Sequence, residues 1–290
     1  MQHGEPSRTA LRAATHRAAH QLLEGGRVFA DPLAVRILAS DPCAVADDAR
    51  DHPDRRRMRF FIAARTRFAE DALANAVAAG VGQLVILGAG LDTFAYRTPL
   101  RDRLRIFEVD HPATQAWKRA RLALVGIDVP RNVTYAPVDF ERRTLEEGLR
   151  EAGLDATAPT FFTWLGVVPY LTEDAVWSTL RLIAAMRLGA EVVFDYGEPR
   201  ELLPPELQAE RETRAQHVAA LGEPWITTFV PQTLHDRLRA LGFGTIEDLT
   251  PRDLLARYVP ERANAAAPDR GAHVIRASTF CRGDYYRLPS

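Results

Sequence analysis

Residues 83–97 read QLVILGAGLDTFAYR, a short apolar run that leads into Gly88-Ala89-Gly90 and then an acidic turn at Asp92. An apolar run bounded by glycines reads as a buried parallel strand, and paired glycines let the backbone turn sharply and come close to a ligand. The dinucleotide fingerprint GxGxxG would need glycine at position 93, where the chain has Thr93; this disfavours NAD and FAD. One βαβ step further on, residues 104–109 read as a second strand that ends at Asp110, before His111-Pro112. Its separation from the glycine loop, roughly 20 residues, is the spacing at which a strand-end carboxylate reaches the ribose hydroxyls of an adenosine cofactor. Glu108 shares a strand face with Asp110 and is the alternative ribose acid. Gly88, Gly90 and Asp110 are therefore the first cofactor-binding candidates.

Working outward, residues 7–23 have helical periodicity and stop at Gly25-Gly26, Asp31-Pro32 opens a short helix, and residues 53–77 carry a longer one. Further strands are expected at 133–138, 160–168 and 191–195, with helical patterns between them, which gives a parallel sheet covered on both faces. Pro204-Pro205 and a charged helical stretch at 206–221 interrupt the alternation as an inserted cap, strands at 245–249 and 274–280 close the sheet, and 264–271 is a polar loop. A chain of 290 residues with 47% hydrophobic content suits one large enzyme domain with a lid.

LGAGLDTFAYR, FEVDHP, VDFE and LGVVPYLTED, in that order, resemble the leucine carboxyl methyltransferase-like family of class I S-adenosylmethionine-dependent enzymes. SRTALRAATHRAAHQLL, VFADPLA, AARTRFAEDAL and VVFDYGEP extend the resemblance over nearly the whole chain. It implies an α/β fold built on a Rossmann-like seven-stranded methyltransferase sheet, mostly parallel with the last strand antiparallel, plus N-terminal helices and a helical cap insertion. The domain is expected to divide into an N-terminal helical lid region (1–80), a cofactor-binding core (81–197), the cap insertion (198–240) and C-terminal strands (241–290). The implied cofactor is S-adenosylmethionine.

That cofactor's adenine wants an edge contact and an apolar slot, which Asp139 and Phe140 can provide at the end of the third strand, a position the family uses similarly. Its methionine carboxylate wants a guanidinium, for which Arg65 is the family-matched choice and Arg67 the fallback. The competing structural reading of Arg65 is an ion pair with Glu70 or Asp71 along the same helix. Asp92 is either a helix cap or a contact to the cofactor's amino group. Many relatives in that family have glutamate before the glycine of the fourth strand, whereas this chain has Leu165-Gly166. Val168-Pro169-Tyr170 lacks the preceding Asp-Pro or Asn-Pro of a base-methylating enzyme.

His16 and His20, four apart on one helix, could chelate metal by spacing, but the glutamate of a zinc hydrolase motif is missing after His16. They read instead as solvated or lid histidines, the lid candidates for catalysis, and no metal site is expected. No GxSxG elbow is present. A net charge of −1 argues against affinity for nucleic acid. Lys118 is the only lysine among many arginines, a composition bias. Cys43 and Cys281 lack metal or redox spacing and read as free thiols in a reducing cytoplasm. No run of roughly 20 apolar residues spans a membrane and no secretory core opens the chain. The reading is a cytoplasmic O-methyltransferase acting on a carboxylate or hydroxyl of a small metabolite or peptide, in an oligomeric state the sequence leaves open. The alternatives are a silent cofactor-binding scaffold or an NAD-linked oxidoreductase.

Overall fold

The computed structural model describes residues 7–139, 142–260 and 269–280. Phe140 and Cys281, and most of the expected polar loop at 264–271, lie outside the described residues. Seven strands form one sheet: β1 (Gln83–Leu87), β2 (Arg105–Asp110), β3 (Val133–Pro137), β4 (Thr160–Trp164), β5 (Ala190–Gly197), β6 (Thr245–Leu249) and β7 (Ala272–Ser278). Their order is β3-β2-β1-β4-β5-β7-β6. The first five pair in parallel, and β7 runs antiparallel between β5 and β6. The expected α/β Rossmann-like sheet is thus present. β1 is buried along its whole length, as a strand covered on both faces must be.

The expected helices at 7–23, 53–77 and 206–221 become α1 (Arg8–Glu24), α4 (Arg56–Ala78, after a 3₁₀ turn at Pro53–Arg55) and α9 (Pro205–Ala220). Ser7 caps α1 by accepting from Ala10 N, and Gly25 ends it in the left-handed region. The short helix opened by Asp31-Pro32 is α2 (Ala34–Leu38), with Asp31 accepting from Leu33 N. Sequence reading missed α3 (Pro42–Asp51), although Asp41 caps it and Pro42 sits in its first turn. The fourth strand is shorter than expected, because after Trp164 the chain turns at Gly166 and enters a 3₁₀ turn at Val168–Tyr170.

Two apolar layers sandwich the sheet. On one face α4 presents Ala64, Phe68, Ala72 and Ala76 to Leu84, Ile106 and Phe161, its alanines at helical spacing letting the backbone approach closely. On the other, α8 (Glu173–Ala184) and α10 (Pro231–Ala240) cover Val85, Phe107, Phe162 and Phe194. A third cluster joins Ala14 and Ala18 of α1 to Ile37, Leu38 and Leu91, seating α1 beside the glycine loop.

Candidate cofactor and acceptor site

β1 lies between β2 and β4, so the chain leaves it in opposite directions on either side; the carboxyl end of such a switch point is where open α/β sheets bind ligands. A cavity of about 1130 Å³ opens there. The β1 loop contributes Gly88, Gly90 and Asp92, β2 contributes Asp110 and His111, and the segment after β4 contributes Gly166 and Tyr170. Arg65 reaches in from α4, while Ala10, Ala13 and Arg17 close it from α1.

Gly90 has φ +42, and a Cβ placed on it would stand 2.9 Å from the Cβ of Ala10. Glycine is needed twice over, for the left-handed backbone and for the approach of α1. Arg17 fastens the same contact by donating to Leu91 O at 2.5 Å. Asp110 accepts from Gly90 N at 2.6 Å and from His111 N at 2.7 Å, so the candidate ribose acid is oriented by the glycine loop. Burial pushes its carboxyl above the usual range, against the pull of those two backbone donors. Asp92 accepts from Phe94 N at 2.7 Å at the start of α5 (Phe94–Arg97) while bordering the cavity. Thr93, standing where a dinucleotide fingerprint has glycine, is buried and donates to Asp31 at 2.7 Å.

The alternative ribose acid is overturned. Glu108 is fully buried, accepts from Tyr96 Oη at 2.8 Å and lies 2.9 Å from Lys118 Nζ. Strand alternation gave it the same face as Asp110, but it sits two residues deeper in the sheet, under α6 (Pro112–Leu124) and away from the cavity. Lys118 is correspondingly no mere trace of composition; it is the buried counter-ion of Glu108.

Arg65 is buried and lines the cavity. Its partner is neither Glu70, which is taken by Arg97, nor Asp71, which is taken by Arg67, but Asp195, at 2.6 Å from Nη1. Arg67 is half exposed and turned to that surface pair, which removes the fallback. The histidines also depart from expectation. His20 is fully buried, edge-on to Phe60, with Nε2 accepting from Val28 N, because tertiary packing closed its helix face. His16 is not among the residues bordering the cavity; burial, then the guanidiniums of Arg12, Arg59, Arg55 and Arg65, bring its imidazole down to about 4. Asp139 lies two residues beyond β3 and is not among the residues bordering the cavity; its carboxylate is 3.4 Å from Nε of Arg142, which does border it.

Sequence reading missed the segment 222–230. It runs back over the turn after β4, with Ile226 N donating to Pro169 O at 2.7 Å, and it lines the cavity with Glu223, Pro224 and Ile226. Glu223 accepts from Arg8 N at 3.0 Å, Thr9 N at 3.1 Å and Ser7 Oγ at 3.3 Å, fastening the first turn of α1.

A family model described as leucine carboxyl methyltransferase matches residues 10–184. A Bacillus subtilis (strain 168) protein named "Putative S-adenosyl-L-methionine-dependent methyltransferase YktD" is 33% identical over 216 residues, covering 74% of this chain and 71% of that protein. A protein of the same description from Mycolicibacterium paratuberculosis is 32% identical over 77% of this chain but only 41% of its own length. In three dimensions, a DUF574 family protein from Streptomyces avermitilis MA-4680 superposes with a TM-score of 0.52 at 17% identity, covering 91% of this chain and 96% of that one; this is likeness of fold.

Proposed function

The chain belongs to the leucine carboxyl methyltransferase family, and from that premise we propose that it moves the methyl group of S-adenosylmethionine to an oxygen of a small metabolite or peptide, a carboxylate oxygen in preference to a hydroxyl. The residues at the switch point suit the cofactor. Asp110 holds the ribose, Gly88 and Gly90 let the backbone approach, and Arg65 offers a buried Nε with no hydrogen-bond partner among the described residues to the methionine carboxylate. When bound, the cofactor supplies a methyl group on a positively charged sulfur. The protein's own contribution is then to align the acceptor and keep water out.

Beyond the cofactor along the sheet edge, the cavity is walled by Tyr170, the segment 222–230 and α1. The observation favouring a carboxylate is the lack of a free base on that wall among the described residues. Glu223 is committed to α1, burial raises the Tyr170 phenol, and nearby His16 is held at about 4. A hydroxyl acceptor wants a base poised near neutral pH, whereas a carboxylate is already ionised.

The acceptor we envisage is diffusible and the setting cytoplasmic; no helix among the described residues is long and apolar enough to cross a membrane. The test is incubation of the purified protein with methyl-labelled cofactor and a cell extract, followed by mass spectrometry. Label that mild alkali releases as methanol marks a methyl ester. Alkali-stable label would move the acceptor to a hydroxyl, and no label in any product would favour a scaffold. Calorimetry showing NAD bound more tightly than S-adenosylhomocysteine would refute the cofactor reading.

A further inference from the structure

Arg65 can donate along two edges of its guanidinium, and the structure has committed only one. Nη1 lies 2.6 Å from Asp195 Oδ2, and the other oxygen of Asp195 accepts from Gly166 N at 2.5 Å. Asp195 therefore ties α4 to the turn after β4 from beneath. Gly166 has φ +74, and a Cβ there would come 2.9 Å from Arg65 Nη2 and 3.2 Å from Nη1, so the Nη1–Nη2 end of the guanidinium abuts a backbone that only glycine leaves open. The ring of Phe61 is 5.9 Å away. Held by a carboxylate, a glycine and a ring, the group has little rotational freedom left. Its Nε is buried and makes no hydrogen bond among the described residues. Nε and Nη2 together form the side-on fork that matches the two oxygens of a carboxylate. Leu165 packs against the apolar layer and offers no second anion to that fork.

We propose that Asp195 is a positioning residue for cofactor binding: by holding the Nη1 edge of Arg65 it turns the Nε–Nη2 edge toward the methionine carboxylate of S-adenosylmethionine. This rests on the cofactor reading above. It carries a sign that simple electrostatics would reverse, since an acid beside Arg65 should repel a second carboxylate. If orientation dominates, removing the acid weakens binding; if charge dominates, removing it strengthens binding.

Calorimetry with two ligands separates these outcomes. S-adenosylhomocysteine has the amino-acid end, and methylthioadenosine keeps the adenosine and sulfur without it. Asp195→Asn, close in size, should raise the Kd for S-adenosylhomocysteine about tenfold and leave that for methylthioadenosine within about twofold. In an Arg65→Ala background the same change should add nothing, because the two residues act as one unit. Equal losses for both ligands would make Asp195 a general support of the fold and overturn the proposal, as would failure of both Asp195→Asn and Asp195→Ala to fold. Unchanged or tighter binding of S-adenosylhomocysteine, or an additive loss in the double variant, would overturn it too. A wild-type protein that binds neither ligand would instead defeat the cofactor reading itself.

Discussion

Replacing Glu223 with alanine should unfasten α1 and speed release of the cofactor product. The carboxylate accepts three donors from the first turn of α1, at 3.0, 3.1 and 3.3 Å. Backbone N–H groups at a helix start are orphan donors, and an anion beside them gains from the helix dipole. At this partly exposed position the three contacts together are worth about 1–2 kcal/mol, well below the sum of three buried charge-assisted bonds. Such a loss changes an open-to-closed ratio by roughly 5- to 30-fold. Ala10 of α1 stands against Gly90, so a ligand held by the loop is expected to leave faster when α1 is loosened. Stopped-flow displacement of S-adenosylhomocysteine should then show dissociation faster by that factor in Glu223→Ala and by less in Glu223→Gln, which keeps one acceptor oxygen. An unchanged dissociation rate in a folded Glu223→Ala protein would show that α1 is not the gate.

Asp110→Ala should lose about 2 kcal/mol of cofactor affinity by calorimetry with the fold intact. Glu108→Gln, in contrast, should leave Lys118 buried without its counter-ion and appear as a fall in melting temperature, a loss on the order of 3–5 kcal/mol. Deleting residues 1–23 should weaken cofactor binding as well as turnover, since α1 holds Leu91 and covers Gly90; retained affinity by calorimetry would contradict this packing. His273 is wedged between Asp248, at 3.0 Å, and Glu198, at 3.5 Å. Burial opposes its charge, but the hydrogen bond and charge of Asp248, with that of Glu198, win and raise its pKa. A raised histidine stabilises fully below its ordinary value near 6.5 and loses that contribution as pH rises through the folded value. The urea midpoint of the wild type should therefore fall relative to His273→Gln as pH rises from about 6.5 toward 9, and parallel curves would refute it.

The sheet was legible because its signals are local. β1 lies where the apolar pattern does, at Gln83–Leu87, since burial on both faces demands an unbroken run and a turn residue ends it. The fourth strand was overextended for the same reason in reverse. Leu165, Val167 and Val168 are apolar enough to read as strand, yet Gly166 sits at φ +74 and redirects the chain toward the cavity. Apolar character marks burial, and here the burial belongs to a loop.

The site was legible where a residue's role follows from its own strand and lost where it depends on a distant segment. Asp110 stands at a strand end, so its reach to the ribose position follows from spacing alone. Glu108 had the same periodicity and a different fate, because alternation fixes the face of a strand but not the depth along it, and two residues place it roughly 7 Å further in. Arg65 was recognised for its fork, while its partner was sought five or six residues away, at Glu70 or Asp71. The acid that holds it lies 130 residues on, and the near acids were already matched to Arg97 and Arg67. Glu223 is further still, 214 to 216 residues from the backbone and hydroxyl groups it accepts from. Both hidden carboxylates do one kind of work. Each fixes another group whose chemistry was visible, Arg65 in one case and the first turn of α1 in the other, so the sequence displays the groups proposed to meet ligand and conceals those that hold them in place.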